Sequence, residues 1–249
     1  MSLLNEEKLL AIECSSFRNK TPFPWLNEQG FLTQEGFVQL TSNMPDISKF
    51  EKQFGVDRLY GQKTHDRWEL IYRRELKELP EIWHEFINEL LSAPYCSFLQ
   101  KMLGIKSFSL KFHWHYSTGG GNLSPHTDSP NKIASHMFYT NTVADWDESW
   151  GGQTLILDDQ GLMDYKTAPE ISSFTDVRKV KTLENYSLLF QRTDHSWHAL
   201  EEIKCPEGSL RKVFTVIVYP PKTIRARVRD RIKSILGQPT DVVFHPRGV

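Results

Sequence analysis

The chain has 249 residues, the size of one large domain or of one domain with an appendage. Hydrophobic residues make up 39% and charged residues 24%, and the formal net charge of −1 predicts no strong attraction to nucleic acid or to an anionic membrane. The apolar runs are shorter than the ~20 residues of a membrane span, and the early acidic residues argue against a signal peptide. Three widely spaced cysteines without a CxxC pair favour a reducing, cytoplasmic location over a disulfide framework.

Residues 1–105 are expected to form a mostly helical support. Thr33 is a candidate N-cap for a helix in TQEGFVQLTSNM, after an extended segment that contains two prolines. Pro80 opens an amphipathic pattern in PEIWHEFINELL, which Pro94 breaks or kinks and which ends at a candidate C-cap, Gly104. The simplest interpretation is that these helices brace a sheet.

The hydrophobic period changes at Ser107. Apolar and polar residues alternate through SFSLKFHWHY, and further strand-like runs follow in KIASHMFYT, GQTLILDD, SLLFQRTD and RKVFTVIVYP. Short strands without intervening helices predict an antiparallel sandwich or barrel over residues 106–222. Residues 223–249 are expected to form a last helix and tail whose basic residues are a solvated face rather than a DNA contact.

The stretch HWHYSTGGGNLSPHTD offers two metal ligands, His126 and Asp128, which point to the same side of an extended strand. DHSWHAL supplies a third, His198, with His195 as its main rival. Two histidines and one carboxylate can hold three facial positions of divalent iron and leave the others open. Zinc would tolerate the same ligands, and a His-x-Asp pair alone is equally typical of a polar turn after Pro125.

A cation follows at the start of the last apolar run. Arg211 could bind a dicarboxylate through a bidentate contact if it faces the same cavity, or it could be an ordinary surface charge. Lys212 is an adjacent competitor, although strand alternation points the two side chains to opposite faces. His113 and His115 lie opposite the aromatic face of their strand, and we expect them to face solvent or a lid.

These residues together resemble the iron(II)/2-oxoglutarate-dependent oxygenases, especially their prolyl-4-hydroxylase-like branch. The segment DHSWHAL…CPEG…RKVF is most similar to uncharacterised bacterial members, so the resemblance does not indicate the substrate. One departure is Val213, where many relatives have Ser or Thr two residues after the cation. The features that carry the resemblance follow one another in order: Tyr116, Gly119–Gly121, His126-x-Asp128, Phe138–Asn141, Asp145–Asp147, Gly151-Gly152, His198 and Arg211.

The resemblance implies a fold that is mainly β with flanking helices, built on a double-stranded β-helix, a cupin-like jelly roll, within a single oxygenase domain over residues 1–249. It implies Fe(II) held by His126, Asp128 and His198, with O₂ as co-reactant and ascorbate as a candidate reductant.

The resemblance also implies 2-oxoglutarate as cosubstrate, chelating the iron through its oxo-acid end. Arg211 would then bind the far carboxylate, with the hydroxyl of Tyr139 on that carboxylate and Tyr116 near the oxo-acid end. The implied activity is hydroxylation of a small-molecule, peptidyl or saccharide substrate with release of succinate and CO₂. The alternatives are a non-catalytic cupin-like metal- and ligand-binding protein and a zinc-dependent hydrolase. Residues 50–75 and the long loop 158–180 are expected to shape the mouth of the pocket.

Overall fold

The computed structural model of the protein describes residues 2–56, 58–74, 76, 78–121, 123–223, 225–226, 232 and 243–245. Within these residues no helix is both long and apolar enough to cross a membrane.

Two antiparallel sheets form the body of the fold, as the alternating pattern after Ser107 predicts. The larger has seven strands in the order β1-β9-β6-β11-β4-β3-β2, and the smaller has four in the order β5-β10-β7-β8. An apolar cluster that includes Ile156 of the small sheet and Val213 of the large one joins them. The strands are β1 (Trp25–Gln29), β2 (Glu51–Gln53), β3 (Arg67–Ile71), β4 (Ser109–Ser117), β5 (Leu123–His126), β6 (Ala134–Tyr139), β7 (Thr154–Asp158), β8 (Asp176–Lys179), β9 (Tyr186–Gln191), β10 (His198–Leu200) and β11 (Arg211–Tyr219).

Five helices precede β4, and their ends follow the capping residues in the sequence. The Thr33 hydroxyl accepts the N–H of Gly36 at 3.0 Å, and Gly104 closes the last helix with a φ of 69°. Pro94 does not kink one helix but lies in the first turn of a new one, where its missing N–H costs no hydrogen bond. The helices are α1 (Glu6–Ala11), α2 (Cys14–Arg18), α3 (Gln34–Ser42), α4 (Glu81–Leu90) and α5 (Ala93–Leu103).

The apolar face of α4 packs on one face of the large sheet. The ring of Trp83 lies 5.1 Å from those of both Trp114 and Phe214, and Phe86 lies 5.5 Å from Phe214. All four side chains are fully buried. Because side chains alternate along a strand, the neighbours of Trp114 in β4 turn to the opposite face, towards the small sheet. We call that opposite face the inward face.

The N-terminal part is less helical than the sequence predicts, since β1, β2 and β3 all extend the large sheet. Strand β3 does alternate, but it is short: Arg67 and Glu69 occupy its inward positions, while Trp68 and Leu70 lie on the face of Trp114. The predicted C-terminal helix lies mostly outside the described residues. Of the tail, Phe244 is described, and it pairs with Leu110 at the end of β4.

Candidate metal centre and cosubstrate pocket

The two sheets enclose a cavity of about 350 Å³, and three candidate ligands meet in it. Strands β5 and β10 are neighbours, with His126 directly opposite His198, and their ring centroids are 4.2 Å apart. Asp128 follows two residues after His126. One potential ligand atom of each residue lies within 4.8 Å of the others, and all three side chains are buried.

Hydrogen bonds leave the same nitrogen of each histidine available. Nδ1–H of His126 donates to the carbonyl of Ser124 and Nδ1–H of His198 to that of Ser196, each at 3.0 Å. In these tautomers Nε2 keeps its lone pair for a metal. Burial lowers the pKa of both imidazoles, so both are neutral near pH 7, as ligation requires.

Asp128 is held as a carboxylate on both of its oxygens. Oδ1 accepts from Nζ of Lys132 at 2.7 Å, and Oδ2 accepts from the Ser135 hydroxyl at 2.8 Å. Burial alone would raise the pKa of Asp128, but Lys132 and the neighbouring histidines hold it well below its usual range. Two neutral imidazoles and one carboxylate with room beside them form a donor set that fits Fe(II).

Arg211 lies on the inward face of β11 and is buried. Its Nε–H donates to the carbonyl of Gly152, its Nη2 donates to the hydroxyl of Thr154 at 3.3 Å, and its guanidinium lies 5.5 Å from the ring centre of Tyr139. The Tyr139 hydroxyl donates to the same Thr154 oxygen at 2.9 Å. Among the residues that the structure describes, no carboxylate lies within ion-pair distance of Arg211. A buried cation without an anion is typical of a site for an anionic ligand.

Residues 111–219 match the family model of the 2OG-Fe(II) oxygenase superfamily. The matched segment runs from β4 to the end of β11, so it contains His126, Asp128, His198 and Arg211. Over this segment, 109 of the 249 residues, the chain is similar to the 2OG-Fe(II) oxygenase superfamily. This family supports a 2-oxoglutarate-dependent oxygenase type of function and implies Fe(II), 2-oxoglutarate and O₂.

Solved structures of other proteins have the same fold as this chain. A prolyl-4-hydroxylase from Pseudomonas putida superposes with a TM-score of 0.59 at 13% identity, over 86% of this chain and 100% of that one. A prolyl hydroxylase from Trichoplax adhaerens, solved with a hypoxia inducible factor peptide fragment, gives 0.58 at 15% identity, over 86% and 90%. The non-heme alpha ketoglutarate dependent carbocyclase SnoK of nogalamycin biosynthesis gives 0.59 at 11% identity, over 96% and 97%. Among curated proteins, none matches the sequence. The shared fold is the predicted jelly roll.

The two alternative candidates from the sequence, His195 for the third ligand and Lys212 for the anion-binding cation, lie away from the cavity lining. Nδ1 of His195 contacts Oδ2 of Asp159 at 2.7 Å in the turn before β10, away from the metal ligands, and its side chain is 43% exposed. Lys212 lies on the opposite face of β11 from Arg211, and its Nζ contacts Oδ2 of Asp145 at 2.7 Å. Strand alternation therefore separates Arg211 from Lys212.

Tyr116 is not where the resemblance places it. Its side chain belongs to the same face of β4 as Trp114, its ring stacks on Phe50 at 4.2 Å, and its hydroxyl donates to the carbonyl of Pro45. Burial raises the pKa of Tyr116. The prediction of a contact near the oxo-acid end of 2-oxoglutarate is wrong for this geometry, because a residue on that face packs on the N-terminal segment.

The expectation that His113 and His115 face solvent or a lid is also wrong. Both lie on the inward face, and His115 lines the cavity. Nε2 of His115 contacts Oε1 of Glu69 at 2.9 Å, and that oxygen also accepts from Arg67 at 2.9 Å. The aromatic face of β4 is covered by helices, so the polar face became the interior of the barrel.

Several residues at the cavity carry no motif in the sequence, among them Arg58, His65, Arg67 and Lys132. Three of them come from the segment 50–75, which does shape the cavity as expected. The loop 158–180 lies beside that segment: Glu170 contacts Lys63 at 3.1 Å. The one available signal was the density of charged and histidine residues in a region without hydrophobic period.

Proposed function

We propose that the protein is an Fe(II)- and 2-oxoglutarate-dependent dioxygenase that hydroxylates its substrate and releases succinate and CO₂. The observation that carries the proposal is that one cavity combines two features. It holds a set of two histidines and one carboxylate, and it holds the buried Arg211, which has no carboxylate within ion-pair distance among the described residues. A buried arginine beside the candidate metal ligands favours a dicarboxylate cosubstrate such as 2-oxoglutarate over a site that binds a metal ion alone.

His126, Asp128 and His198 would hold the iron through two Nε2 atoms and a carboxylate oxygen. Bound iron with 2-oxoglutarate supplies the oxidising chemistry, which protein side chains lack. Lys132 and Ser135 fix the rotamer of Asp128, and the carbonyls of Ser124 and Ser196 fix the two imidazole tautomers.

Arg211 would bind the far carboxylate of 2-oxoglutarate, assisted by the hydroxyls of Tyr139 and Thr154. The Tyr139 and Thr154 hydroxyls share one hydrogen bond, and each can rotate to donate to an entering carboxylate. The guanidinium is already fixed by Gly152 and Thr154, so little side-chain entropy is lost on binding. Burial excludes water that would otherwise weaken the ion pair.

The reaction is tested by incubating the protein with Fe(II), 2-oxoglutarate and O₂ and measuring succinate. Uncoupled turnover without substrate is expected to give succinate that a chelator or the His126→Ala substitution abolishes. Addition of ascorbate is expected to sustain the turnover. Succinate formation by His126→Ala at the wild-type rate would overturn the metal assignment, and absence of 2-oxoglutarate binding to the metal-loaded protein would overturn the whole proposal.

A further inference from the structure

The charged residues that line the cavity are unevenly balanced. Four are basic, while the only lining carboxylate among the described residues is the metal ligand Asp128. The chain as a whole has a net charge of −1, so this excess of positive charge is local to the cavity. The basic residues are Arg58, Arg67, Lys132 and Arg211.

Two of these cations have a counterion in the structure, and the proposed function assigns one to a third. Lys132 contacts Asp128 at 2.7 Å and Arg67 contacts Glu69 at 2.9 Å. Arg211 would pair with the far carboxylate of 2-oxoglutarate, an assignment that rests on the proposed function. Bound Fe(II) and 2-oxoglutarate carry opposite charges of equal size, so together they supply no further anion.

Arg58 is the cation that remains. It is half-buried, lines the cavity and has no carboxylate within ion-pair distance in the described part of the chain. Burial and the nearby Arg67 lower the pKa of Arg58, and Arg58 in turn contributes to the lowered pKa of both His126 and His198. Its charge is therefore felt at the metal centre.

Arg58 interacts with a second guanidinium, that of Arg67, and with the imidazole of His65, while the carboxylate of Asp128 acts on it only from beyond ion-pair distance. Arg67 uses Nη1 and Nη2 on His65 and Glu69, while its buried Nε has no hydrogen-bond partner. Burial, followed by Arg67, lowers the pKa of His65 well below its usual range, so this histidine is neutral. Two guanidiniums that repel each other beside unfilled donors are the arrangement that binds an oxyanion through charge-assisted hydrogen bonds.

We infer that the substrate carries an oxyanion, a carboxylate or a phosphate, which binds to Arg58 and Arg67 beside the metal centre. An uncharged substrate would leave the half-buried Arg58 without a carboxylate within ion-pair distance among the described residues, which is costly. The cavity has the volume of a small-molecule site. The oxyanion would therefore orient a small acidic molecule, or one acidic residue of a larger one, with a neighbouring carbon at the metal.

Isothermal titration of the full-length protein loaded with Mn(II) and 2-oxoglutarate tests this inference. The probes are inorganic phosphate, propionate and the uncharged propionamide. We expect at least one anion to bind about ten-fold or more tightly than propionamide. A tighter Kd for phosphate would identify a phosphate group, and a tighter Kd for propionate a carboxylate.

Arg58→Gln is expected to abolish the preference for the anions, and Arg58→Lys, which keeps the charge, to retain part of it. Arg73→Gln removes the same charge from an exposed position and is expected to bind like the wild type. Equal affinities for propionate and propionamide, no detectable anion binding, or anion binding that survives Arg58→Gln would each overturn the inference.

Failure of the proposed function gives a different pattern. In that case 2-oxoglutarate does not bind to the Mn(II)-loaded protein, whereas the anion titration still reports on Arg58 through the difference between the wild type and Arg58→Gln.

Discussion

His126 and His198 face each other across two neighbouring antiparallel strands, and each donates Nδ1–H to the carbonyl two residues before it. The same local device thus sets the tautomer of two residues that are far apart in the chain. It presents two Nε2 atoms to one point. Asp128, two residues after the end of β5, brings a carboxylate oxygen close to the same point.

The first prediction concerns the identity of the third ligand. His198→Ala is expected to weaken Mn(II) or Fe(II) binding by more than about 100-fold, since changes outside the coordination shell already cost 10–100-fold. His126→Ala is expected to do the same. His195→Ala, which removes a histidine held by Asp159, is the matched control and is expected to bind metal normally. Metal titration followed by electron paramagnetic resonance of Mn(II) gives the affinities, and loss of binding in His195→Ala would contradict the assignment.

The second prediction separates the two adjacent cations of β11. Arg211→Ala is expected to raise the Kd for 2-oxoglutarate by about 10- to 100-fold, the usual value of a charge-assisted hydrogen-bond pair. Lys212→Ala removes the same charge from the other face of the strand, where Lys212 contacts Asp145. Its Kd for 2-oxoglutarate is expected to match the wild type. Equal effects of the two substitutions would show that Arg211 does not bind the cosubstrate.

The third prediction tests how Arg211 is positioned. Gly152 has a φ of 78°, and a Cβ there would lie 3.1 Å from Cδ of Arg211. Gly152→Ala is therefore expected to weaken 2-oxoglutarate binding. Gly161→Ala is a suitable control, because Gly161 has a φ of 71° and a Cβ there would meet nothing within 4 Å.

Both alanines carry the cost of a left-handed backbone, about 1–2 kcal/mol of unfolding free energy. Only Gly152→Ala is expected to change the Kd for 2-oxoglutarate in addition, which separates displacement of Arg211 from backbone strain. An unchanged Kd in Gly152→Ala would mean that Arg211 tolerates the shift.

The fourth prediction follows from the side of the sheet on which Tyr116 lies. Tyr116→Phe removes the hydrogen bond to the carbonyl of Pro45, so we expect a loss of about 1 kcal/mol in unfolding free energy. The Kd for 2-oxoglutarate is expected to stay the same. Tyr139→Phe, next to Arg211, is expected to raise that Kd several-fold. Chemical denaturation and cosubstrate titration of both variants distinguish the two roles.

The fifth prediction is a pH dependence of stability that comes from His136. This side chain is buried between α5 and the large sheet, where Nδ1 contacts the hydroxyl of Tyr95 and Nε2 that of Ser187. Burial lowers the pKa of His136 to about 3 from 6.5. Between these two values the unfolded chain binds a proton that the folded chain does not.

Stability is therefore complete above pH 6.5 and falls by about 1.4 kcal/mol per pH unit for this group as the pH drops towards 3. Urea unfolding at pH 7.5 and 5.0 measures the difference. His136→Gln does not titrate, and it is expected to lose less stability over that interval than the wild type. The same loss in both proteins would show that His136 is not responsible.

Local sequence determined the secondary structure wherever one physical signal dominated. The N-cap at Thr33, the C-cap at Gly104 and the alternation after Ser107 each depend on the backbone and its nearest neighbours, and the structure confirms them. Spacing likewise put His126 and Asp128 together, because i and i+2 share a side of an extended chain.

The alternation of apolar and polar residues in β4 does not determine which face of the strand lies inside the barrel. The pattern shows that Trp114 and His115 point in opposite directions, but burial by α4 determines which direction is inside. The helices cover the aromatic face, which includes Tyr116, and His115 on the opposite face lines the cavity. A sequence-based expectation that polar residues face solvent fails in a barrel whose interior is a polar site.

The sequence by itself determined the ligand types, their spacing and the alternation that separates Arg211 from Lys212. Only the tertiary structure shows that His198, and not His195, lies opposite His126, since this depends on the register between β10 and β5. It alone brings Arg58 and Arg67 into the cavity that holds the three candidate ligands. Contacts between residues far apart in the chain are made by packing of the sheets, and one-dimensional periodicity carries no information about that packing.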